Sequence, residues 1–573
     1  MTLVEKPGTS RERVVVRFAG DSGDGMQLAG GRFTSATAEI GNDLVTLPDF
    51  PAEIRAPTGT LAGVSSFQIH FASRDIATPG DRPDLLVAMN PAALRANLHD
   101  LQPGGAIVVN EDAFTKRNLL KAGFEDNPLE DDSLAAYQVT RVPMTMLCQR
   151  AAESIDGAST RDAQKARNLF ALGLVCWMYD RPIEGTERWI GEKFAADAVV
   201  RDVNLAALRA GYHFGDTTEL VGARVQVAPA DDVPAGTYRN VNGTQALALG
   251  LIAASVRSGL NLTLAAYPIT PASELLHDLA RRSDLGVRTV QAEDEIAAAG
   301  IALGASYGGG LGVTATSGPG MDLKAETIGL AVMLELPLVI VDVQRAGPST
   351  GMPTKTEQAD LLMALYGRHG EAPLPVVAAA TPGHCFDAAF EAAQIAIQYR
   401  TPVILLSDLF LANSSEPWRV PSAADLPRID PRFAPPADPD APFLPYARDE
   451  HGARTWAPPG TPGSSSHAAV RARDTDTSRP RPSARRASSA SITPAASRYP
   501  DPWSSAWHGS AAGRPPAAAA GPPSTTAMPD AACTIESKPR RGAHGPSAPQ
   551  ASTRACTTPG GTCSPRASSD PGR

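Results

Sequence analysis

The first 215 residues alternate short apolar runs with amphipathic segments. Short apolar runs predict buried strands, and longer segments with apolar residues on one face predict helices. Strands followed by helices are typical of a doubly wound parallel sheet, so we predict one α/β domain over residues 10–215. The predicted strands are residues 13–20 (RVVVRFAG), 64–71 (VSSFQIHF), 84–89 (DLLVAM) and 106–110 (AIVVN), and the predicted helices include residues 26–41, 90–98 and 168–179.

The same alternation returns over residues 240–415 and predicts a second domain of the same class. It opens with a helical segment (NGTQALALGLIAASVRSG) and closes with a helix and a strand (FDAAFEAAQIAIQY, then PVILLSDLFL). Residues 216–239 are polar and contain Pro and Gly, which is typical of a linker. Residues 416–462 are rich in Pro and Asp, so we predict an extended linker there.

The pattern ends abruptly in the last segment, residues 463–573. This stretch contains no Leu and no Phe and has no apolar periodicity. It cannot bury enough apolar surface to offset the entropy of ordering, so we predict a disordered tail. Its Ala-, Pro-, Ser- and Arg-rich composition resembles a GC-rich gene read out of frame. Our hypothesis is a frameshift between Thr461 and Ser464, and the alternative is a natural disordered extension.

Composition and charge exclude several classes of protein. The chain has 573 residues, enough for three or four domains, and a net charge of −9. From residue 457 onward it holds 14 Lys and Arg against 6 Asp and Glu, so the rest is near −17, which argues against nucleic-acid binding. No signal peptide is recognisable, and no apolar stretch approaches the roughly 20 residues of a membrane span, so no membrane association is expected.

The cysteines predict no metal site. The chain has six, Cys148, Cys176, Cys385, Cys533, Cys556 and Cys563, and none of them forms a CxxC pair. Neither an iron–sulfur cluster nor a zinc site is therefore indicated, and the set is typical of a protein of the reducing cytoplasm.

The first chemical signal is the string Tyr267-Pro-Ile-Thr-Pro271. Both prolines lack an N–H, so the string cannot continue the preceding strand, and it predicts a turn with Thr270 at the top of the sheet and Pro271 as the first helical residue. Open α/β sheets bind ligands at this edge, beside helix N-termini. An ordinary strand-to-helix turn is the alternative interpretation.

Three further motifs follow in order: EDEIAAAGIALGASYGGG (residues 293–310), TSGPG (316–320) and QRAGPSTGMPTKTEQADL (344–361). Together with YPITP they resemble the alpha subunit of a 2-oxoacid:ferredoxin oxidoreductase of the 2-oxoglutarate type, with its gamma domain fused at the N-terminus. The resemblance runs from about Arg13 to about Leu444. It implies a Rossmann-like gamma-type domain followed by a thiamine diphosphate pyrimidine-binding domain. The family continues into a further Rossmann-like domain, which residues 463–573 do not resemble.

The resemblance implies a cofactor site at the edge of the second sheet. Thiamine diphosphate needs a carboxylate against a nitrogen of its pyrimidine ring, and the family pattern assigns this catalytic role to Glu295. Glu293 and Asp294 compete for it, and all three are also explained as acidic residues favoured at a helix N-terminus. The other residues expected around the cofactor are Tyr267, Pro268, Ile269, Thr316, Ser317 and Gly318, although the last three also fit an ordinary tight turn.

The 2-oxoacid substrate carries a carboxylate beside its ketone. In the family the threonine of YPITP and the arginine of the later loop contact this carboxylate, and these roles fall on Thr270 and Arg345. A guanidinium binds a carboxylate bidentately, which an ammonium cannot do. The alternative for Arg345 is a surface ion pair.

The glycine loop GDSGDG at residues 20–25 has two possible interpretations. Its GDG resembles the metal-binding motif of thiamine enzymes, but that motif needs a paired-Asn segment downstream and only Asn42 is present, so we reject this interpretation. A glycine loop that opens a helix can instead bind another phosphate, and the family links its gamma domain with coenzyme A. The candidate coenzyme A residues are Gly20, Ser22, Gly23 and Gly25. A nucleotide-dependent dehydrogenase is disfavoured, because G-x-G-x-x-G spacing is missing.

The resemblance thus implies an incomplete enzyme. A beta subunit would bring the Mg²⁺–diphosphate site and an iron–sulfur cluster, forming a cytoplasmic heterodimer that converts 2-oxoglutarate to succinyl-CoA in the tricarboxylic acid cycle and passes electrons to ferredoxin. The alternatives are a pyruvate or branched-chain 2-oxoacid enzyme, and an inactive subunit that lacks the C-terminal domain.

Overall fold

A computed structural model describes residues 9–51, 63–218, 224–370, 372–435 and 443–462, and the backbone of residues 535–536. Most of the predicted tail, with Cys533, Cys556 and Cys563, therefore lies outside the described residues, and its disorder stays a prediction. Within the tail, Ile535–Glu536 forms a short strand, β17, antiparallel to β9 (Thr237–Asn242).

The first module comprises residues 13–217 and contains a six-stranded sheet covered by helices. A two-residue strand, β1 (Thr9–Ser10), precedes it and pairs with β8 (Val225–Gln226) beyond its last helix. The strands of the module are β2 Arg13–Asp21, β3 Asp43–Asp49, β4 Val64–Ala72, β5 Leu85–Ala88, β6 Ala106–Asn110 and β7 Gln138–Val142. The helices are α1 Met26–Ile40, α2 Pro91–Asn97, α3 Lys116–Lys121, α4 Met144–Ala152, α5 Thr160–Lys165, α6 Arg167–Met178, α7 Glu184–Lys193 and α8 Ala198–Thr217.

The strand order of this sheet is β3-β4-β2-β5-β6-β7. Strands β2, β5, β6 and β7 are parallel to one another, as predicted. Strand β4 runs antiparallel to both β2 and β3. The difference lies in β4, where Phe67, Ile69 and Phe71 alternate with polar residues. A period of two is typical of antiparallel strands, whereas central parallel strands are apolar on both faces.

The second module comprises residues 237–419 and contains a sheet in which all six strands are parallel. Its order is β11-β10-β12-β13-β15-β14. Besides β9, the strands are β10 Leu262–Ala266, β11 Arg288–Gln291, β12 Leu311–Thr316, β13 Leu338–Gln344, β14 Val376–Ala378, β15 Pro402–Asp408 and β16 Ser415–Arg419. The helices are α9 Gly243–Ser258, α10 Ser273–Ala280, α11 Glu295–Tyr307, α12 Gly318–Leu334, α13 Leu361–Tyr366, α14 His384–Tyr399 and α15 Leu409–Asn413.

Each module has its own apolar core, so the predicted α/β class with two doubly wound domains is confirmed. Local sequence explains several helix starts. Asn242 and Gln245 form a capping box at α9, and the Asn90 side chain accepts from Ala93 N at α2, where Pro91 is the first helical residue. The domain boundaries themselves stay a prediction.

Hydrogen bonds join the two modules along β3. Ser414 Oγ donates to Thr46 O at 2.5 Å, and Ser415 N donates to Thr46 Oγ1 at 2.8 Å. These groups are buried or partly buried, so the bonds fix the end of the second module against the edge of the first sheet.

Three absences hold for the described part of the chain. None of its helices combines the length and the apolar character needed to cross a membrane. No group of three or more His, Cys, Asp or Glu side chains there is placed to hold a metal ion. Cys148, Cys176 and Cys385 are buried and unpaired, and burial raises the pKa of each thiol to about 12.

Candidate active site

The predicted site residues meet at the carboxyl edge of the second sheet. Four adjacent strands end there in register, because Ala266 of β10 pairs with both Gln291 of β11 and Ala315 of β12, and Thr316 pairs with Asp342 of β13. The segments that follow these strands carry Thr270, Glu295, Ser317 and Arg345, one after each strand. Thr270 and Arg345, which are 75 residues apart in the sequence, thereby lie at the same edge of the sheet.

Tyr267 is the centre of the first cluster. Its hydroxyl lies 2.9 Å from Thr316 Oγ1 and also contacts the Glu295 carboxylate. Burial of the ring raises the pKa of Tyr267, and the Glu295 charge raises it further, so the phenol stays protonated and donates. This arrangement orients Glu295 at the first turn of α11.

The three acidic residues before α11 have different surroundings. Asp294 is the N-cap of the helix, and its Oδ1 accepts from Ala297 N at 2.8 Å. Glu293 and Asp294 are exposed, whereas Glu295 is half-buried beside Tyr267. The geometry therefore favours Glu295 among the three candidates, and leaves Asp294 a capping role.

A buried cation, Lys324 of α12, lies against this cluster. Its side chain is fully buried, its Nζ donates to Glu295 O at 2.8 Å, and it lies 5.0 Å from the centroid of the Tyr267 ring. Burial lowers the pKa of Lys324 to about 8, although the Glu295 charge acts in the opposite direction. A buried ammonium with one hydrogen bond to the described residues is costly, and such buried charges are common at functional sites.

The turn between β12 and α12 packs closely against the cluster. A Cβ at Gly320 would lie 2.0 Å from Thr316 Oγ1 and 2.2 Å from Tyr267 Oη, so only glycine fits. Ser317 is the N-cap of α12, yet its buried Oγ has no partner among the described residues. A buried hydroxyl without a partner in the described part of the chain is able to bind a polar group of a ligand.

Arg345 and Thr270 are in contact with each other. Arg345 Nη1 donates to Thr270 O at 2.5 Å, Nη2 donates to Thr350 O at 2.9 Å, and the buried Nε has no partner in the described part of the chain. Burial lowers the pKa of Arg345, which remains a cation. The contact uses the backbone of Thr270, and its exposed side chain lines a neighbouring cavity.

The YPITP turn differs from the prediction in one respect. Helix α10 begins at Ser273, not at Pro271, because Ser273 N donates to Ile269 O at 2.9 Å and closes a separate turn first. Ser273 Oγ also accepts from Ile269 N at 2.8 Å. Pro268 is exposed and Ile269 is half-buried, whereas Tyr267 is buried and contacts Glu295.

A pair of carboxyl groups lies under the TSGPG turn. Asp342 is fully buried, and burial together with the neighbouring Asp360 raises its pKa well above the usual value. Burial also raises the pKa of Asp360, whose Oδ2 would be 2.7 Å from a Cβ at Gly318. Both oxygens of Asp342 and the Oδ2 of Asp360 are buried without a hydrogen-bond partner among the described residues, and burial of both groups favours their uncharged, protonated forms.

The glycine loop of the first module opens α1 without a side-chain cap. Gly25 is the N-cap at φ 76°, a conformation that favours glycine, and Asn168 Nδ2 donates to Gly25 O at 3.4 Å. The loop also carries two acidic side chains. Asp24 pairs with Arg167 at 3.5 Å, and burial and the Asp24 charge raise the pKa of Asp21.

A cavity of about 450 Å³ connects this loop to the predicted substrate site. Ser22, Phe50 and Pro51 of the first module line one side of it. Thr270, Pro271 and Thr354 of the second module line the opposite side. The loop and Thr270 thus face one space. Of the four predicted coenzyme A residues only Ser22 is among its lining residues, and the glycines Gly20, Gly23 and Gly25 are not.

The fold and the site define a thiamine-binding α/β oxidoreductase subunit, and comparisons with known proteins agree. Residues 254–471 match the family "Pyruvate flavodoxin/ferredoxin oxidoreductase, thiamine diP-bdg", and residues 15–214 match "Pyruvate ferredoxin/flavodoxin oxidoreductase". The 2-oxoglutarate oxidoreductase subunit KorA of Mycobacterium tuberculosis is 58% identical over 453 residues, which are 79% of this chain and 69% of that protein. The chain therefore belongs to the 2-oxoacid:ferredoxin oxidoreductase family, among its alpha subunits of the 2-oxoglutarate type.

Two further relatives are more distant. The 2-oxoglutarate synthase subunit KorA of Methanothermobacter marburgensis is 39% identical over 208 residues, 36% of this chain and 53% of that subunit. A solved structure is described as the 2-oxoglutarate:ferredoxin oxidoreductase from Magnetococcus marinus with 2-oxoglutarate, coenzyme A and succinyl-CoA bound. It has a TM-score of 0.68 and 30% identity, covering 80% of this chain and 74% of that one.

The motifs did not identify Lys324 or the Asp342–Asp360 pair as site residues. A signal for Lys324 was present, because Met321, Lys324, Ile328 and Ala331 recur at the spacing of one helix face, and that face is buried. Asp342 lies inside an otherwise apolar strand, LVIVDVQ, where a charged residue is rare without a specific role.

Proposed function

We propose that this chain is the alpha subunit of a 2-oxoglutarate:ferredoxin oxidoreductase that forms succinyl-CoA and CO₂ and passes electrons to ferredoxin. The observation that carries the proposal is the meeting of two clusters at one sheet edge: Glu295 with Tyr267 and Thr316, and Arg345 with Thr270. The names of the mycobacterial relative and of the solved relative support 2-oxoglutarate as the substrate.

The residues fit thiamine diphosphate, whose chemistry when bound is to supply a carbon nucleophile and to stabilise the charge left by decarboxylation. Glu295 would accept a hydrogen bond from the ring nitrogen of the pyrimidine, and Ser317 Oγ, which has no partner among the described residues, would form a hydrogen bond with the ring. Tyr267 keeps the Glu295 carboxylate oriented, and Lys324 supplies a positive charge behind it. Arg345 would bind the carboxylate next to the ketone through its remaining N–H groups, with Thr270 beside it.

The cavity between the modules is the route that we propose for coenzyme A. The loop formed by Gly20, Ser22, Gly23 and Gly25 would bind a phosphate of the cosubstrate, and its thiol arm would extend past Ser22 to Thr270. The negative charges of Asp21 and Asp24 would repel a phosphate, and the ion pair with Arg167 neutralises the charge of Asp24. The solved relative contains bound coenzyme A, which supports this assignment.

We propose a cytoplasmic heterodimer, in which a beta subunit provides Mg²⁺ for the cofactor diphosphate and the iron–sulfur cluster that reduces ferredoxin. Its place would be the tricarboxylic acid cycle. Residues 10–215 would be the gamma-type domain and 240–415 the pyrimidine-binding domain, with connecting segments at 216–239 and 416–462. The name of the mycobacterial relative, which describes a subunit, supports a partner.

The test is to co-express the chain with the beta subunit of the same organism and to measure ferredoxin reduction with coenzyme A. We expect the highest kcat/KM for 2-oxoglutarate among 2-oxoglutarate, pyruvate and 2-oxoisovalerate. A preference for pyruvate or for the branched-chain acid would contradict the proposal that 2-oxoglutarate is the substrate. A stable complex without activity would indicate that the chain is an inactive subunit that only assembles. The chain purified alone should contain no iron and oxidise no 2-oxoacid.

A further inference from the structure

The loop that follows β13 is tied to the first module by Lys355. Its Nζ lies 2.8 Å from Asp49 Oδ1 and donates to Phe50 O at 3.0 Å. The neighbouring Thr354 Oγ1 donates to Pro51 O at 3.2 Å. Asp49, Phe50 and Pro51, at and just after the end of β3, thus bind Thr354 and Lys355 of the loop.

The backbone of Lys355 contacts the residue next to Arg345. Ala346 N donates to Lys355 O at 2.9 Å. The loop between them is closed by two more bonds, from Met352 N to Ala346 O and from Lys355 N to Met352 O, both 3.0 Å. A shift of Lys355 therefore moves the backbone that carries the Arg345 side chain.

Arg345 completes the connection to the substrate site. Its two Nη atoms donate to Thr350 O inside the same loop and to Thr270 O across it. The contacts thus run from Asp49 through Lys355, Ala346 and Arg345 to Thr270, with a hydrogen bond or a peptide bond at each step.

Asp49, where this series of contacts begins in the first module, is also connected to the glycine loop. Gln27, the second residue of α1, donates from Nε2 to Asp49 O at 3.3 Å and to Ser65 Oγ at 3.0 Å. Helix α1 begins directly after the loop Gly20–Gly25. The position of the loop and that of Arg345 are therefore fixed against the same strand end, β3.

We propose that Lys355 is a positioning residue, whose ion pair with Asp49 lets the first module set the geometry of Arg345. The proposal rests on the proposed function, in which Arg345 binds the substrate carboxylate. The Lys355 and Asp49 side chains are 35% and 45% exposed, so the pair adds little to stability. Its effect lies in geometry, because a displaced guanidinium binds the substrate carboxylate less well even when the fold is not destabilised.

The kinetic test uses the alpha–beta complex with Lys355→Met or Asp49→Asn. Each variant should raise the KM for 2-oxoglutarate about threefold to tenfold and change kcat by less than about twofold. The matched control is Arg74→Met, which removes another exposed ion pair of the first module, with Glu12 at 2.6 Å, and should leave KM unchanged. The exchanged pair Lys355→Asp with Asp49→Lys should recover part of the lost affinity.

Hydrogen exchange on the alpha chain alone gives a readout that needs no activity. In Lys355→Met the amides of Ala346, Met352 and Lys355 should exchange faster, whereas amides of α14 should not change. Unchanged exchange would overturn the proposal even if the wild-type complex proved inactive on 2-oxoglutarate. Faster exchange with an unchanged KM in an active complex would refute the link to the substrate. Faster exchange with a raised KM and recovery in the exchanged pair would support it.

Discussion

Lys324→Met is the most informative single change at the site, because it should stabilise the fold and impair the reaction. The side chain is fully buried, and within the described part of the chain its ammonium donates one hydrogen bond, to Glu295 O at 2.8 Å. Methionine has nearly the same length and no charge to bury. Glu295 O can retain a helical backbone partner in α11, so loss of the ammonium need not leave it unpaired.

The magnitude follows from the pKa of Lys324, which burial lowers from 10.5 to about 8. At 1.36 kcal/mol per pKa unit, the folded state carries about 3 kcal/mol of unfavourable free energy below pH 8. The lost hydrogen bond and the lost contact with the Tyr267 ring offset about 1–2 kcal/mol of this. The expected net gain of about 1–2 kcal/mol raises the melting temperature by roughly 2–6 °C.

The pH dependence of unfolding tests separately whether Lys324→Met stabilises the fold. Between pH 8 and pH 10.5 the unfolded wild type binds a proton at Lys324 that the folded protein has lost, so wild-type stability from this group rises with pH. The methionine variant lacks this rise, and its advantage should shrink above pH 8.

The assay is thermal unfolding of the alpha chain from pH 7 to pH 10, with Lys116→Met on an exposed position of α3 as the control. In the complex, turnover of Lys324→Met should fall at least about fivefold, because the charge behind Glu295 is gone. A variant that melts below the wild type at pH 7, with the same pH dependence, would refute the reasoning.

Three further predictions concern single residues. Arg345→Lys should lower kcat/KM for 2-oxoglutarate about tenfold or more in steady-state assays, since one charged hydrogen bond is worth roughly 1.5–3 kcal/mol; wild-type kinetics would remove Arg345 from the site. Glu295→Gln should abolish exchange of the thiazolium proton of bound thiamine diphosphate without lowering the melting temperature, and wild-type exchange would point to Glu293. Asp43→Asn should stabilise the chain more at pH 8 than at pH 5. Burial raises the pKa of Asp43 to about 7, so the folded wild type keeps a proton that the unfolded chain loses above pH 4, and wild-type stability falls as the pH rises to 7. Equal melting differences at both pH values would contradict this.

The sequence predicts those parts of the site that depend on local chemistry. The prolines of YPITP end β10 and place Thr270 at the sheet edge, and the order of the four motifs carries the resemblance on which the roles of Glu295 and Arg345 depend. The start of α10 was misplaced by two residues, because both prolines precede a separate turn that a hydrogen bond from Ser273 closes.

Contacts between modules could not be predicted in this way. Lys355 and Asp49 are 306 residues apart, and both are ordinary charged residues in polar surroundings of the sequence. Their meeting depends on how two separately formed sheets pack, which no local pattern encodes. Lys324 is the opposite case, since its helix face alone shows that the side chain points inward.

In the second sheet, the residues that form the apolar core and the residues of the proposed active site lie on different parts of the chain. The strands β10, β12, β13 and β15 supply apolar core residues, whereas Thr270, Glu295, Ser317 and Arg345 belong to the segments beyond strand ends. Changes in those segments can alter chemistry while the strand pairing stays intact. Relatives that act on other 2-oxoacids can thus diverge by exchanging loops on a common sheet, and grafting the segment after β13 between relatives is a direct way to redesign substrate choice.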